Sequence, residues 1–142
     1  MPKFSQRSNA LLAKCHPDLQ IIFNEVIKYR DCSILASTIR TIEQQKQFVA
    51  KGVSQIMNSK HLPQPDGYSH AVDAEHYPIN FKDKESQAHF AGFVLGIATQ
   101  LYAKGKVSHK VRWGGDWNQN GKVTDGKSGD TFSDPQHFEL IK

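Results

Sequence analysis

Apolar residues recur at helical spacing in two stretches of the chain, and both stretches predict amphipathic helices. The first runs from Asp18 to Tyr29, and its apolar face consists of Leu19, Ile22, Phe23, Val26 and Ile27. Pro17 lies near its first turn, where a proline is tolerated because its missing N–H would have no partner within the helix. The second runs from Lys84 to Ala103 and stops at Gly105; its apolar residues are Phe90, Phe93, Val94, Ile97 and Leu101.

Four short apolar runs between turn-forming residues predict strands. They are Asp31 to Ser37, Ala71 to Glu75, Lys110 to Trp113 and His137 to Ile141. Thr41 and Gln44 have the spacing of a capping box and predict one more helix over Glu43 to Ala50, which ends at Gly52. Because helices and strands are mixed without a regular βαβ order, we predict an α+β domain around a small antiparallel sheet flanked by helices.

The length of 142 residues fits one compact domain, so we predict a single domain over residues 1–142. Hydrophobic residues make up 38% of the chain and charged residues 23%, which excludes disorder along the whole chain. Cys15 and Cys32 lack the spacing of a redox or zinc motif, and we interpret them as two buried free thiols rather than a disulfide.

The net charge of +4 and the pI of about 9.1 favour acidic polymers as partners. The basic residues are scattered among acidic ones, so the sequence does not indicate a nucleic-acid-binding protein. No window approaches the ~20 apolar residues of a membrane span, and the N-terminus lacks the apolar core of a signal peptide. We therefore expect a protein made without a signal peptide and without stable membrane association.

Three segments combine imidazoles and carboxylates in a pattern that suits a metal ion. Ser59-Lys60-His61 precedes a loop that ends at His70-Ala71-Val72-Asp73, and Asp134-Pro135-Gln136-His137 lies near the C-terminus. A catalytic zinc site takes three nitrogen or oxygen ligands and leaves one position for water. A free carboxylate beside the ion can then accept the proton of that water, and Asp134 is suited to this role.

Strand geometry helps to decide which histidine would bind the metal ion together with Asp73. Alternate residues of a strand face the same side, so His70 points away from Asp73, whereas His61 lies on a loop and is free to fold back. We favour His61 as the ligand and keep His70 as the alternative or as a supporting residue. The same alternation places Glu139 beside His137, where it would orient the ring. The remaining histidines are interpreted as ordinary packing or surface residues; they are His16, His76, His89 and His109.

These motifs together resemble the zinc signature of the D-alanyl-D-alanine metallopeptidase (VanY-like) superfamily, and most closely its branch of phage L-alanyl-D-glutamate endopeptidases. That signature has Ser-x-His, an Asp usually seven residues later and Asp/Glu-x-x-His near the end. Ile39-Arg40-Thr41 resembles the family's Arg-Thr segment, and the stretch from Arg112 to Trp117 resembles its Trp-Gly segment. The matches run in the family's order from about Ser37 to Leu140.

The resemblance implies a Hedgehog/DD-peptidase-like fold and a zinc peptidase that cuts peptidoglycan stem peptides. It implies that His61, Asp73 and His137 bind zinc and that Asp134 is the general base and acid. Arg40 would stabilise the oxyanion, while Trp113 and Ser59 would contact the substrate. One departure is that His61 and Asp73 stand twelve residues apart, because residues 63–68 resemble an insertion.

A second metal is suggested by the segment Asp116-Trp117-Asn118-Gln119-Asn120-Gly121, which matches the first half of an EF-hand calcium loop. Asp116, Asn118 and Asn120 would supply the oxygen ligands. The last EF-hand ligand position holds Lys127, so Asp125 or Asp130 would have to substitute. Related endolysins carry calcium in this loop, and the alternative interpretation is an Asn/Gly-rich turn stabilised by its own side chains.

The resemblance further implies a monomeric phage endolysin with no separate wall-binding domain, made in the host cytoplasm and released to the wall with the help of a holin. Two alternatives remain at this stage. One is a D-alanyl-D-alanine carboxypeptidase, which shares the same chemistry. The other is a non-catalytic module that binds the wall or calcium, for which no carboxylate would be needed at Asp134.

Overall fold

The structure, a computed structural model, describes residues 2–35, 47, 50, 64–123 and 133–142. Most of the helix expected over Glu43 to Ala50 lies outside these residues, and so do residues 59–63 of the expected loop before His70. The described part contains three helices, α1 (Gln6–Leu12), α2 (Pro17–Ile27) and α3 (Lys84–Ala103). None of its helices is both long and apolar enough to cross a lipid bilayer.

Four strands form one antiparallel sheet in the described part of the chain. They are β1 (Cys32–Ile34), β2 (Ala71–His76), β3 (Lys110–Trp113) and β4 (His137–Ile141), and they lie side by side in the order β1-β2-β4-β3. β4, the last strand in sequence, therefore lies between β2 and β3 and pairs with both. The predicted α+β fold around a small antiparallel sheet is confirmed.

The periodic segments agree best with the sequence predictions. β3 and β4 have the predicted bounds, and α3 has the predicted bounds as well. The helix expected from Asp18 starts one residue earlier and ends at Ile27, because the carbonyl of Val26 accepts hydrogen bonds from both Tyr29 and Arg30 as the last turn ends. β1 is shorter than expected, although the Leu35 N–H still donates to the carbonyl of Asp73, 2.8 Å away.

The short helix α1 was not predicted, since it has too few apolar positions to produce a helical pattern. Its N-cap is Ser5, whose hydroxyl accepts a hydrogen bond from the Ser8 N–H at 3.1 Å. The Ser8 hydroxyl in turn accepts from the backbone N–H of Ile34, 26 residues away. A contact of this range depends on the folded chain and leaves no local signal in the sequence.

The core lies where α2 and α3 pack on one another and on the sheet. Its centre consists of three fully buried rings, Phe23 on α2, Phe90 on α3 and Phe138 on β4. The Phe138 ring meets Phe23 and Phe90 edge to face, with centroid distances of 5.7 and 6.2 Å. Because Phe138 follows His137 along β4, this packing holds the strand that carries the C-terminal histidine.

Both cysteines are buried and free, which confirms the interpretation as two thiols. Cys15 lies at the end of the turn between α1 and α2, and Cys32 begins β1. Burial raises the pKa of each thiol to about 12, so both stay protonated and unreactive near neutral pH.

We predict that Phe138→Ala lowers the free energy of unfolding by about 3–5 kcal/mol, because it leaves a cavity between the two helices and the sheet. Denaturant unfolding followed by circular dichroism measures the change. The matched control is Phe81→Ala, since Phe81 is 56% exposed and its loss should cost less than about 0.5 kcal/mol. Equal unfolding midpoints for the two variants would contradict the packing described here.

Candidate metal centre

The pairing of β2 with β4 brings a carboxylate and an imidazole from distant segments together. In the antiparallel register Asp73 lies directly opposite His137. Paired residues of neighbouring strands project toward the same face of the sheet. The His137 Nδ1 atom consequently lies 3.8 Å from an Asp73 carboxylate oxygen.

Asp134 joins this pair from the turn that precedes β4. The His137 N–H donates to the Asp134 carbonyl at 3.0 Å, which closes the turn. An Asp134 carboxylate oxygen lies 3.9 Å from His137 Nδ1, so this ring nitrogen faces both Asp73 and Asp134. One ligand atom from each of Asp73, Asp134 and His137 lies within 4.8 Å of the others, a spacing that a single ion could bridge after small movements.

The turn is held against the end of β3 by Gly114 and Trp113. The Gly114 N–H donates to the His137 carbonyl at 2.8 Å, and the Gly114 carbonyl accepts from the Asp134 N–H at 2.9 Å. A Cβ atom on Gly114 would collide with the carbonyl oxygen of Asp134, so this close approach requires a glycine. The Trp113 indole N–H donates to the carbonyl of Pro135 at 2.9 Å.

The other nitrogen of His137 is occupied by a carboxylate. His137 Nε2 lies 2.8 Å from a Glu139 oxygen, and the second Glu139 oxygen accepts from Arg112 Nη2 at 2.7 Å. Although burial raises the pKa of Glu139, the His137 contact and the Arg112 guanidinium outweigh burial and lower that pKa to about 2. An ionised Glu139 accepts a hydrogen bond from Nε2, which leaves Nδ1 as the ring nitrogen that faces Asp73 and Asp134.

Trp117 covers the imidazole of His137 and was given no role of its own in the sequence analysis. The two ring centroids are 5.2 Å apart with planes inclined by 40°, and the Arg112 guanidinium lies 5.3 Å from the Trp117 ring. Arg112 therefore contacts both Glu139 and Trp117, the two groups that surround His137. Only the β3–β4 register, in which Arg112 lies opposite Glu139, reveals this role.

The structure does not bring every predicted residue to this cluster. His70 hydrogen-bonds Asp66 and belongs to a different group of side chains. Trp113 is 5% exposed and packs in the core, which leaves little of its ring to contact a substrate. Arg40, Ser59 and His61 lie outside the described residues.

The segment predicted to bind calcium forms a series of tight turns. The Asp116 carboxylate accepts from the Gly121 N–H at 2.9 Å and from the Asn120 N–H at 3.2 Å. The Asn118 side-chain oxygen also accepts from Asn120, and Gly121 has a φ of 80°. These bonds are what a self-stabilised Asx turn provides. Lys127, Asp125 and Asp130 lie outside the described residues, so calcium binding stays a prediction.

The geometry of Asp73, Asp134 and His137 suits a metal-dependent hydrolase. A buried imidazole with its far nitrogen fixed by a carboxylate is the usual arrangement of a metal-ligating histidine. A carboxylate opposite it, and a second and more exposed carboxylate beside it, provide one further ligand and one acid–base group. The cluster is therefore consistent with a metallopeptidase.

Comparison with known proteins gives the family. The profile of a family described as phage L-alanyl-D-glutamate peptidase matches residues 1–141. The chain belongs to this family and is therefore a peptidoglycan hydrolase. No curated protein sequence matches the chain.

A solved structure agrees with this assignment. The protein is similar to the Serratia marcescens L-Ala D-Glu endopeptidase ChiX, with a TM-score of 0.71 and 26% sequence identity. The similarity covers 98% of this chain and 90% of the other. Fold and family thus both indicate an L-alanyl-D-glutamate peptidase, as the sequence motifs predicted.

We predict that Glu139→Gln weakens metal binding at this centre by about 10–100-fold, because a neutral amide holds the His137 ring less firmly than a carboxylate. The measurement is the zinc concentration that restores half of the peptidase activity to metal-depleted protein. Glu25→Gln is the matched control, since Glu25 lies on α2 and pairs with Lys28 at the surface. If Glu139→Gln needs the same zinc concentration as the wild type, Glu139 does not orient the His137 ring for metal binding.

Proposed function

We propose that the protein cleaves the L-alanyl-D-glutamate bond of peptidoglycan stem peptides with a zinc ion held by His61, Asp73 and His137. The observation that carries this proposal is the convergence of Asp73, Asp134 and His137, with the second nitrogen of His137 bound to Glu139. The substrate is inferred from the family, and the metal ion is inferred from the arrangement of these side chains.

The donor set favours zinc over harder cations. His137 offers a neutral imidazole nitrogen and Asp73 a carboxylate oxygen, and imidazole is a good ligand for zinc but a poor one for magnesium or calcium. His61 would complete the three protein ligands from the segment outside the described residues. A zinc ion bound here would polarise the scissile carbonyl and lower the pKa of a bound water toward ~7.

The two aspartates differ in a way that supports different roles. The Asp73 side chain is 17% exposed and lies on the rigid strand β2, which suits a ligand of fixed geometry. The Asp134 side chain is 35% exposed and lies on a turn, where water and substrate can reach it. We assign Asp73 to the metal and Asp134 to proton transfer.

Asp134 would carry one proton through the reaction. Its carboxylate accepts a proton from the attacking water as the new C–O bond forms at the L-alanine carbonyl. The same proton is then donated to the amino group of D-glutamate as the C–N bond breaks. Positioned acid–base groups of this kind contribute about 10²–10⁴-fold to the rate.

Two residues outside the described part complete the proposal. Arg40 would place its guanidinium against the oxygen that becomes negative as the carbonyl is attacked, an interaction commonly worth a few kcal/mol of barrier. Ser59 would contact the substrate beside His61. These assignments rest on the motif positions alone.

The setting of the reaction follows from the family and the charge. A net charge of +4 attracts the protein to the acidic polymers of a bacterial envelope. As a phage lysis enzyme it would be made in the host cytoplasm, reach the wall after a holin opens the inner membrane, and act as a monomer. Nucleic acid has no part in this proposal.

We predict that Asp134→Asn lowers the hydrolysis of purified peptidoglycan by at least about 10²-fold, because the amide cannot accept the proton of water. Mass spectrometry of the digest should show new D-glutamate amino termini with the wild type and almost none with the variant. The zinc content of the variant should equal that of the wild type. Full activity in Asp134→Asn, or release of free D-alanine by the wild type, would overturn the proposal.

We predict that the His61→Ala and His70→Ala variants differ in peptidase activity. His61→Ala should abolish hydrolysis, because it removes a ligand of the catalytic ion. His70→Ala should keep activity within a few-fold of the wild type, because its ring lies in a different cluster. The same digest assay measures both variants, and the reverse pattern would give the ligand position to His70.

A further inference from the structure

Five metal-binding side chains gather at a place that the peptidase mechanism does not use. They are three histidines and two aspartates from the start of α2, the turn before β2 and the start of β3: His16, Asp18, Asp66, His70 and His109. The three ring centroids are 5.0, 5.1 and 5.8 Å apart, and the ring planes are inclined by 71–78°. Rings arranged around one tetrahedral ion with bonds of ~2 Å have centroids about 5 Å apart.

Backbone pairing holds two of these histidines side by side. The His16 N–H donates to the Ser69 carbonyl at 2.9 Å, and the Ser69 N–H donates to the Lys14 carbonyl at 3.2 Å. This bridge fixes His16 next to His70, which follows Ser69 directly. Their proximity is therefore built into the fold.

Asp66 faces both rings. One of its oxygens lies 2.7 Å from His70 Nε2 and 3.9 Å from His16 Nε2, and the other accepts the Tyr68 N–H at 3.0 Å. Ligands of a tetrahedral zinc ion are separated by about 3.3 Å. The observed separations lie on either side of that value, so shifts of under about 1 Å would let the three atoms share one ion.

His109 and Asp18 support this group from the other side. His109 Nδ1 lies 2.8 Å from an Asp18 oxygen that also accepts from the backbone N–H and the hydroxyl of Ser108, both at 3.0 Å. Asp18 is thus occupied and 7% exposed, whereas Asp66 lies at the surface. The exposed Asp66 is therefore the better candidate for an ion ligand beside His16.

We propose that His16, Asp66 and His70 bind a second divalent transition-metal ion, separate from the catalytic centre. Two imidazole nitrogens and one carboxylate oxygen suit zinc and the neighbouring metals cobalt and nickel. The cluster shares no residue with Asp73, Asp134 and His137. The ion ties the start of α2 to the turn that leads into β2, so its role is to stabilise the fold.

Binding requires a proton to move within His16. Its Nδ1 accepts the Asp18 N–H at 2.9 Å as the N-cap of α2, which places the ring proton on Nε2 without the ion. When Nε2 binds the metal, that proton passes to Nδ1, where an Asp18 oxygen lies 4.0 Å away. The helix loses one capping bond, and the Asp18 oxygen has to move closer to Nδ1 to accept the proton, as a carboxylate commonly does beside a metal-ligating histidine.

Zinc titration of metal-depleted protein by calorimetry tests the proposal. The wild type should bind about two ions per chain, and both His70→Ala and Asp66→Asn should bind about one. His137→Ala should also bind about one, because it loses only the catalytic ion. His89→Ala is the matched control and should bind about two, since His89 is an exposed histidine of α3 outside both clusters.

The outcomes separate this proposal from the catalytic one. If His70→Ala and Asp66→Asn bind as many ions as the wild type, or if His137→Ala binds none, the second site does not exist. If His137→Ala binds as many ions as the wild type, the catalytic assignment fails and the second site stands. Asp66 lies on an exposed turn, so Asp66→Asn keeps the test valid where His70→Ala fails to fold, as circular dichroism would show. The thermal midpoint should rise with zinc in His137→Ala, which keeps the second site, but not in the double variant His137→Ala/Asp66→Asn, which keeps neither site.

Discussion

The antiparallel pairing of β2 with β4 is the constraint on which the candidate metal centre depends. It places Asp73 opposite His137 although the two residues are 64 positions apart in the chain. The side-chain period of a strand is two, so a slip of one residue would send one of them to the opposite face. The Phe138 ring, buried between α2 and α3, opposes such a slip because it would have to leave the core. The packing of the core and the geometry of the candidate metal centre therefore depend on the same strand register.

Around that pair the protein controls which nitrogen of His137 faces the two aspartates. Arg112 holds Glu139, Glu139 holds Nε2, and Trp117 covers the ring, so Nδ1 alone is directed at the two aspartates. The Arg112–Glu139 contact crosses from β3 to β4, the Glu139–His137 contact lies within β4, and the Trp117 contact comes from the loop after β3. The polar network satisfies the buried carboxylate of Glu139 and at the same time orients the ring, which is why an acid is tolerated at a 3% exposed position.

Sequence patterns predicted what depends on local periodicity, and they failed where tertiary contacts decide. The period-two alternation was enough to place Glu139 beside His137 and to turn His70 away from Asp73. It could not reveal that Arg112 faces Glu139, because that requires the register of two strands 27 residues apart. Gly114 likewise resembles any loop glycine until the Asp134 carbonyl is seen against it. The histidines taken as ordinary packing residues included His16 and His109, whose neighbours come from three separate segments.

The chain between Asp66 and Asp73 serves both clusters, and this explains how a small fold can keep them apart. Asp66 and His70 precede β2 and meet the N-terminal segment through the bridge at Ser69, whereas Asp73 lies within β2 and meets β4. The hydrogen bond from the Leu140 N–H to the His70 carbonyl fixes the point between the two, at the end of the paired strands. An ion at His16, Asp66 and His70 would consequently stiffen the segment on which Asp73 depends without touching the reacting groups. Asp66 and His70 of the proposed second site and Asp73 of the candidate metal centre thus lie on one continuous stretch of backbone.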